Sequence, residues 1–146
     1  MKPITKCRVC YSPELKKMGG LGNIAISDFT KKPSRGKIWP LELVLCQKCT
    51  LLQLRHNPPR EELYKRFYWY ESGMNPVIVK DLKEIAEIAE SYMKRGDMII
   101  DAGANDGTLL SFISDKFIRV GVEPARNLHK KLRKYCRYFY KDFWEE

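Results

Sequence analysis

Residues 98–123, MIIDAGANDGTLLSFISDKFIRVGVE, hold the pattern that decides the fold. An apolar run enters Asp101, a glycine-bounded turn follows, a helical pattern begins at Thr108, and a second apolar run ends in Glu123. This order predicts one βαβ unit of an open α/β sheet, in which ligands bind beyond the carboxyl ends of the strands. An acid after the second strand there accepts hydrogen bonds from ribose hydroxyls. The pattern predicts a nucleoside-bearing cofactor; the alternative is an ordinary βαβ unit whose glycines only make a turn.

The composition of the turn narrows the choice of cofactor. A dinucleotide-binding turn needs a glycine where its backbone meets the pyrophosphate, but this turn has Asn105 followed by Asp106. A carboxylate in that place would repel a pyrophosphate. Asp101, Asp106 and Glu123 together favour a positively charged nucleoside without phosphate. S-adenosylmethionine meets that description, because it carries a sulfonium and an ammonium group.

Length, charge and hydropathy bound the class of protein. With 146 residues, 44% of them hydrophobic, the chain has room for one medium domain or two small ones. All of the net charge of +9 lies in residues 1–60, which hold 12 Lys or Arg against three acids. This asymmetry predicts two modules. The basic first module either binds an acidic partner or simply has a lysine-rich surface. No apolar run reaches the roughly 18 residues of a membrane span, so we expect no membrane contact and a soluble, cytoplasmic protein.

Five cysteines divide into two C-x-x-C pairs and a single residue. Cys7 and Cys10 form the first pair, Cys46 and Cys49 the second, and Cys136 stands alone. Each C-x-x-C turn presents two sulfurs to one tetrahedral ion, so the pairs predict a structural zinc site with four thiolate ligands. Disulfides are the weaker alternative, since no secretory signal is visible. We expect Cys136 to be a small buried hydrophobic residue.

The first predicted module, residues 1–57, is zinc-binding and resembles a zinc ribbon or treble clef. Residues 42–46 and 51–54 read as two strands joined by the second C-x-x-C turn. A module of this size needs the metal for stability. Its basic loop is either a solvated connection or a contact surface, and it contains Lys31, Lys32, Arg35 and Lys37.

Residues 58–75 read as an aromatic linker and residues 76–146 as a partial Rossmann-like sheet domain with about three strands. Asn75 and Pro76 fit the cap and first position of a helix that runs to about Arg95. The predicted apolar face of this helix consists of Ile78, Leu82, Ile85, Ala89 and Tyr92.

The end of the chain predicts a short helix after Pro124 and a third strand from Arg137 to Tyr140. His129 has no partner at ligand spacing, so we expect it at the surface. Asp142 follows the third strand, where a carboxylate could accept a hydrogen bond from an adenine amino group. That assignment rests on topology alone.

Several motifs, in order along the chain, resemble the nucleotide-sugar C-methyltransferases of deoxysugar biosynthesis and their zinc-containing relatives. The motifs are CRVC and a second C-x-x-C, the aromatic segment YWYES, then DAGANDG and GVEPARNL. The resemblance implies a zinc ion on the four paired cysteines. It also implies an S-adenosylmethionine site at Asp101, Gly103, Asn105, Gly107 and Glu123, with Tyr68, Tyr70 and Ser72 lying over the cofactor. The predicted cofactor-binding set also includes Asp106, Pro124 and Asp142.

The chain departs from that family in extent. Family members continue beyond this point with more strands and a C-terminal domain that binds the sugar nucleotide and carries the catalytic residues. We therefore expect a truncated or split portion that is inactive alone, has no catalytic residue, and needs a companion chain or self-association. A phosphorylated, nucleotide-linked substrate is expected only for the complete enzyme. The alternative function is a zinc-ribbon module that binds nucleic acid without enzymatic activity.

Overall fold

The chain folds into two units, residues 1–60 and 61–146. The computed structural model describes residues 3–26, 36–66 and 68–144. Three members of the predicted basic loop, Lys31, Lys32 and Arg35, lie outside the described residues. The combination of small sheets and helices confirms the predicted α/β class.

The first unit contains a three-stranded antiparallel sheet in the order β1-β2-β3. Its strands are β1 (Leu15–Ala25), β2 (Ile38–Cys46) and β3 (Leu52–Leu54). The predicted hairpin is confirmed, because β2 and β3 pair on either side of the second C-x-x-C turn. Strand β2 begins four residues earlier than predicted.

Strand β1 was not predicted, because its glycines are typical of a loop. Two irregularities, between Lys17 and Gly19 and between Gly20 and Gly22, interrupt its pairing with β2. At Gly20, a Cβ atom would lie 2.5 Å from the carbonyl oxygen of Leu41. The glycine is therefore required by the close approach of the facing strand rather than by a turn.

The second unit is built on a parallel sheet in the order β4-β5-β6. Its strands are β4 (Met98–Ala102), β5 (Ile118–Val122) and β6 (Tyr138–Tyr140). Helices α1 (Pro76–Ser91), α2 (Thr108–Phe112) and α3 (His129–Leu132) accompany them, with a π-helical turn at Glu61–Lys65 and a 3₁₀ turn at Ser72–Met74. The predicted order of strand, turn, helix and strand is therefore present.

Helix α1 begins as predicted, since the Asn75 side chain accepts the backbone N–H of Val77 at 3.0 Å. The prediction of its inner face was wrong at two positions. Ile85 is 50% exposed and Tyr92 is 85% exposed, whereas Ala86 is buried against Ile113. The buried stripe is thus rotated by about one residue from the predicted one, because the small side chain of Ala86 allows close packing.

One face of the parallel sheet is covered and the other is open at its margins. Ile99 packs into both core clusters of the unit, against residues of α1 and α2. Because side chains alternate along a strand, Ile100, Val120 and Tyr138 share the opposite face. Ile100 and Tyr138 are exposed there, while Val120 is buried. Parallel sheets normally have both faces covered.

Among the described residues, no helix combines the length and the apolar character that crossing a bilayer requires.

Candidate metal centre and strand-end crevice

Four cysteine sulfurs meet in the first unit, and their Sγ atoms all lie within 4.8 Å of one another. Cys7 and Cys49 are separated by 3.6 Å, and Cys10 and Cys46 by 3.5 Å. Zinc–sulfur bonds of about 2.3 Å in a tetrahedron place the sulfurs about 3.8 Å apart. The donor set and its spacing therefore fit a four-coordinate zinc ion, as the C-x-x-C pairs predicted.

The two C-x-x-C turns have the same backbone design. The N–H of Tyr11 donates to the carbonyl of Cys7 at 3.1 Å, and the N–H of Thr50 donates to the carbonyl of Cys46 at 2.9 Å. Tyr11 and Thr50 have φ values of 59° and 60°, in the left-handed region that non-glycine residues rarely occupy. The two C-x-x-C segments thus adopt the same turn conformation, each followed by a residue with strained backbone. Each turn directs two sulfurs toward the same point.

The backbone favours the thiolate form of Cys7 and Cys46. The backbone N–H of Cys10 contributes most to lowering the pKa of Cys7 to about 6, and that of Cys49 contributes most to lowering the pKa of Cys46. The pKa of Cys49 is instead raised to about 12: the Leu51 N–H lowers it, but the neighbouring sulfurs and burial outweigh that contribution. Four adjacent thiolates repel one another, so all four ionise together only around a cation.

Gln53 is a residue of the metal centre that the sequence prediction missed. Its Nε2 donates to the sulfur of Cys7 at 3.4 Å, and its Oε1 accepts the backbone N–H of Arg8 at 3.1 Å. The side chain is only 7% exposed. The sequence offered one signal for this role, a polar residue between two leucines on a short strand. A buried amide side chain needs hydrogen-bond partners. Gln53 orients the first C-x-x-C turn from the opposite strand.

The glycine-bounded turn of the second unit closes over the end of β5. The N–H groups of Gly103 and Ala104 both donate to the carbonyl of Val122, at 2.8 and 3.0 Å. Gly103 has a φ of 85°, and a Cβ atom at this position would meet nothing within 4 Å. The backbone of the turn therefore borders open space, as a ligand-facing turn requires.

Asp101 and Glu123 lie at the carboxyl ends of neighbouring strands. Burial, and then the charge of Glu123, raises the pKa of Asp101 to about 6. Glu123 is 5% exposed and accepts the N–H of Asn105 at 2.8 Å and that of Ala125 at 2.7 Å. A carboxylate has about four acceptor positions, so two remain on Glu123.

An aromatic strap, defined here as residues 68–73, is held across the turn by hydrogen bonds. Asn105 donates to the carbonyl of Tyr70 at 3.0 Å and accepts the N–H of Ser72 at 2.9 Å. Asp106 accepts the N–H of Gly73 at 2.9 Å and also binds Thr108. The predicted cofactor residues Asn105 and Asp106 therefore hold the strap with their side chains, and their cofactor role stays a prediction.

The beginning of the strap is fixed by Asn127, a second residue that the prediction missed. Its amide accepts the N–H of Tyr68 at 3.0 Å and donates to the carbonyl of Tyr68 at 2.9 Å. Burial raises the pKa of the Tyr68 phenol, and the charges of Tyr64, Glu123 and Tyr70 add to the effect. Tyr68 therefore lies within electrostatic reach of Glu123. The motif GVEPARNL contained Asn127, but only the folded chain shows its partner.

The remaining predicted positions have other surroundings. Asp142 is exposed and forms an ion pair with Lys65 at 2.8 Å, and its adenine contact stays a prediction. Pro124 lies between Glu123 and the buried Ala125. The prediction that His129 is a surface residue was wrong, because its ring is half-buried, packs edge-on against Phe139 at 5.0 Å and contacts the carbonyl of Glu123 at 2.9 Å.

Comparison with known proteins identifies the class of the first unit. Residues 7–64 match the family model Methyltransf_13, described as "Putative zinc binding domain". The match includes all four clustered cysteines. Together with the geometry of the sulfurs, it supports the predicted zinc site.

One relative extends the similarity over both units. The chain is 28% identical over 134 residues to C-methyltransferase NovU from Streptomyces niveus, an alignment that covers 88% of this chain. The chain spans about a third of the relative's length, since 32% of that protein is aligned. The chain is thus similar to about a third of a C-methyltransferase, and residues 7–64 match a zinc-binding domain, which together confirm the predicted resemblance.

Proposed function

We propose that the second unit is the beginning of a Rossmann-like domain that binds S-adenosylmethionine for C-methyl transfer. The observation that carries the proposal is the position of two interacting acids, Asp101 and Glu123, at the ends of adjacent parallel strands, beside the open backbone of Gly103. Bound S-adenosylmethionine would supply the methyl group. The 28% identical C-methyltransferase supports the reaction class.

The residues present fit this cofactor. Asp101 is a half-buried acid facing another acid, so a cationic ligand would relieve their repulsion. Glu123 keeps free acceptor positions for ribose hydroxyls. Gly103 would bring the backbone to the methionyl part, and the Tyr68 and Tyr70 rings, 6.4 Å apart, would border the ligand from the strap.

We assign no catalytic residue to the described part of the chain. Methyl transfer needs a bound acceptor and a base placed beside it. We propose that these are supplied by another polypeptide segment, which would also cover the open sheet face at Ile100 and Tyr138. The proposed acceptor of the methyl group is a nucleotide-linked sugar. We also propose that a zinc ion bound by four thiolates stabilises the first unit. Sedimentation of the zinc-loaded chain as a stable monomer at high concentration would remove the support for self-association.

Titration of the ¹⁵N-labelled, zinc-loaded chain with S-adenosylmethionine tests the proposal even when binding is weak. We expect amide shifts at Gly103 and Gly107 and none at Gly96, a left-handed glycine outside the crevice. Asp101→Asn should abolish the shifts, whereas Asp81→Asn on the exposed side of α1 should preserve them. Shifts that leave Gly103 unaffected, or that persist in Asp101→Asn, contradict the proposed site.

A further inference from the structure

A cavity of about 360 Å³ lies between α3 and β6, outside the acidic crevice. Its lining consists of His129, Lys130, Arg133, Lys134, Phe139 and Lys141. Four of these six side chains are cationic and none is acidic. The volume lies at the small end of the range for small-molecule sites.

Three of the four cationic side chains at this cavity form no ion pair within the part of the chain that the structure describes. Within the described ranges, Lys130, Arg133 and Lys134 have no acidic partner, whereas nearby Lys131 pairs with Glu71 and Lys65 pairs with Asp142. Lys130 and Lys134 are four residues apart on α3 and the turn that follows, a spacing at which like charges destabilise a helical segment. The cluster therefore keeps a repulsion that a bound anion would relieve.

Phe139 contributes an aromatic ring to the lining of the cavity. Phe139 packs against the core cluster that contains Leu132, and the His129 ring meets it edge-on with centroids 5.0 Å apart. The Lys141 ammonium lies 5.8 Å from the centre of the Phe139 ring. The lining thus combines cationic side chains with an aromatic ring, which suits a ligand with anionic groups attached to a small organic part.

We propose that this cavity binds the diphosphate group of a small phosphorylated metabolite. Arg133 offers a planar fork for phosphate oxygens, and the three lysines offer point charges. A concave site with one aromatic residue fits a small molecule better than a nucleic acid strand, which needs an extended groove with several stacking rings. The proposal is independent of the methyl-donor site, because the two share no lining residue.

Calorimetric titration of the full zinc-loaded chain with inorganic pyrophosphate and with ADP tests this site. The triple variant Lys130→Gln, Arg133→Gln, Lys134→Gln should bind both probes at least about tenfold more weakly. The matched control Lys80→Gln, Lys94→Gln, Arg95→Gln removes the same charges from exposed positions in and just after α1 and should bind as the unchanged chain does. Adenosine, which lacks phosphate, should not displace pyrophosphate.

Amide shifts in the unchanged chain provide a readout that does not depend on the variants folding. Pyrophosphate should shift the amides of residues 129–134 and 139–141. Equal weakening in both triple variants would overturn the proposal, since general basicity would then explain binding. Absence of these shifts, or single-stranded RNA binding much more tightly than ADP and competing with it, would overturn it as well.

Discussion

The Glu123 carboxylate accepts the backbone N–H of Asn105 through Oε2 at 2.8 Å. The acid that ends β5 therefore fixes the turn that follows β4, although 18 residues separate the two. Because Asn105 in turn holds the aromatic strap, a change at either residue should affect both the fold and the proposed ligand site.

Asp101 should make the folded state less stable above its own pKa. Its pKa is raised from 3.8 to about 6 by burial and by Glu123. The folded state therefore binds more protons than the unfolded state between about pH 4 and 6, and stability falls as pH rises through that window. Asp101→Asn should stabilise the second unit by about 1–3 kcal/mol at pH 7.5, with little gain at pH 4.

Hydrogen exchange of the β4 and β5 amides would measure this effect within the second unit alone. Asp81→Asn, at an exposed position of α1, is the control and should show no such pH dependence. A gain in Asp101→Asn that is equal at both pH values would contradict the assigned cause.

Asn105 should contribute to stability through its two hydrogen bonds to the strap. Asn105→Gly keeps the left-handed backbone, which has a φ of 51°, but removes the bonds to Tyr70 and Ser72. We expect a loss of about 1–3 kcal/mol and faster proteolysis within residues 68–73. Asn105→Ala should lose about 1 kcal/mol more, because alanine is strained at positive φ. Unchanged proteolysis of the strap in Asn105→Gly would show that other contacts hold it.

Gly107 and Gly96 form a matched pair for separating backbone strain from packing. Both have φ near 90°, but a Cβ at Gly107 would lie 2.8 Å from the Tyr135 ring and 3.1 Å from Leu132 Cα, whereas Gly96 has open space. Gly96→Ala should cost about 1–2 kcal/mol from strain alone. Gly107→Ala should cost about 1–3 kcal/mol more, because the neighbouring turn must shift. If urea unfolding shows the same loss of stability for Gly107→Ala and Gly96→Ala, the turn beside Gly107 can move without cost.

Removal of zinc should unfold the first unit selectively. We expect one zinc per chain by mass spectrometry, and its loss in Cys46→Ser but not in Cys136→Ser, because Cys136 lies in the second unit. A chelator should abolish the protected amides of β1 to β3 while those of β4 to β6 remain. Metal retention in Cys46→Ser would argue against a four-thiolate site.

Acid should also release the metal. The pKa of Cys7 is depressed to about 6, chiefly by the backbone N–H of Cys10, so the stabilisation that it contributes is present at high pH and is lost as pH falls through that value. Protons then compete with zinc for the sulfurs.

Local patterns predicted the elements whose partners are close in sequence. The cap of α1 by Asn75, the second C-x-x-C turn with its hairpin, and the strand that enters Asp101 each depend on residues within a few positions. Strand β1 escaped prediction, because the need for glycine at Gly20 is explained only by the facing Leu41 carbonyl. The rotation of the buried face of α1 also depends on a distant partner. The surface against which the helix packs determines that Ala86 rather than Ile85 is buried.

The sequence by itself determined a four-cysteine metal centre and a βαβ unit with acids at its strand ends, since spacing and periodicity set ligand geometry and the buried faces of strands. Only the tertiary structure decided the partners of individual polar side chains. Asp106 accepts a hydrogen bond from Gly73, 33 residues away, and Gln53 donates one to Cys7, 46 residues away. The tertiary structure also brought four cationic side chains to the cavity that Phe139 lines. Such contacts depend on which buried polar groups the chain brings together, and no local pattern records that pairing.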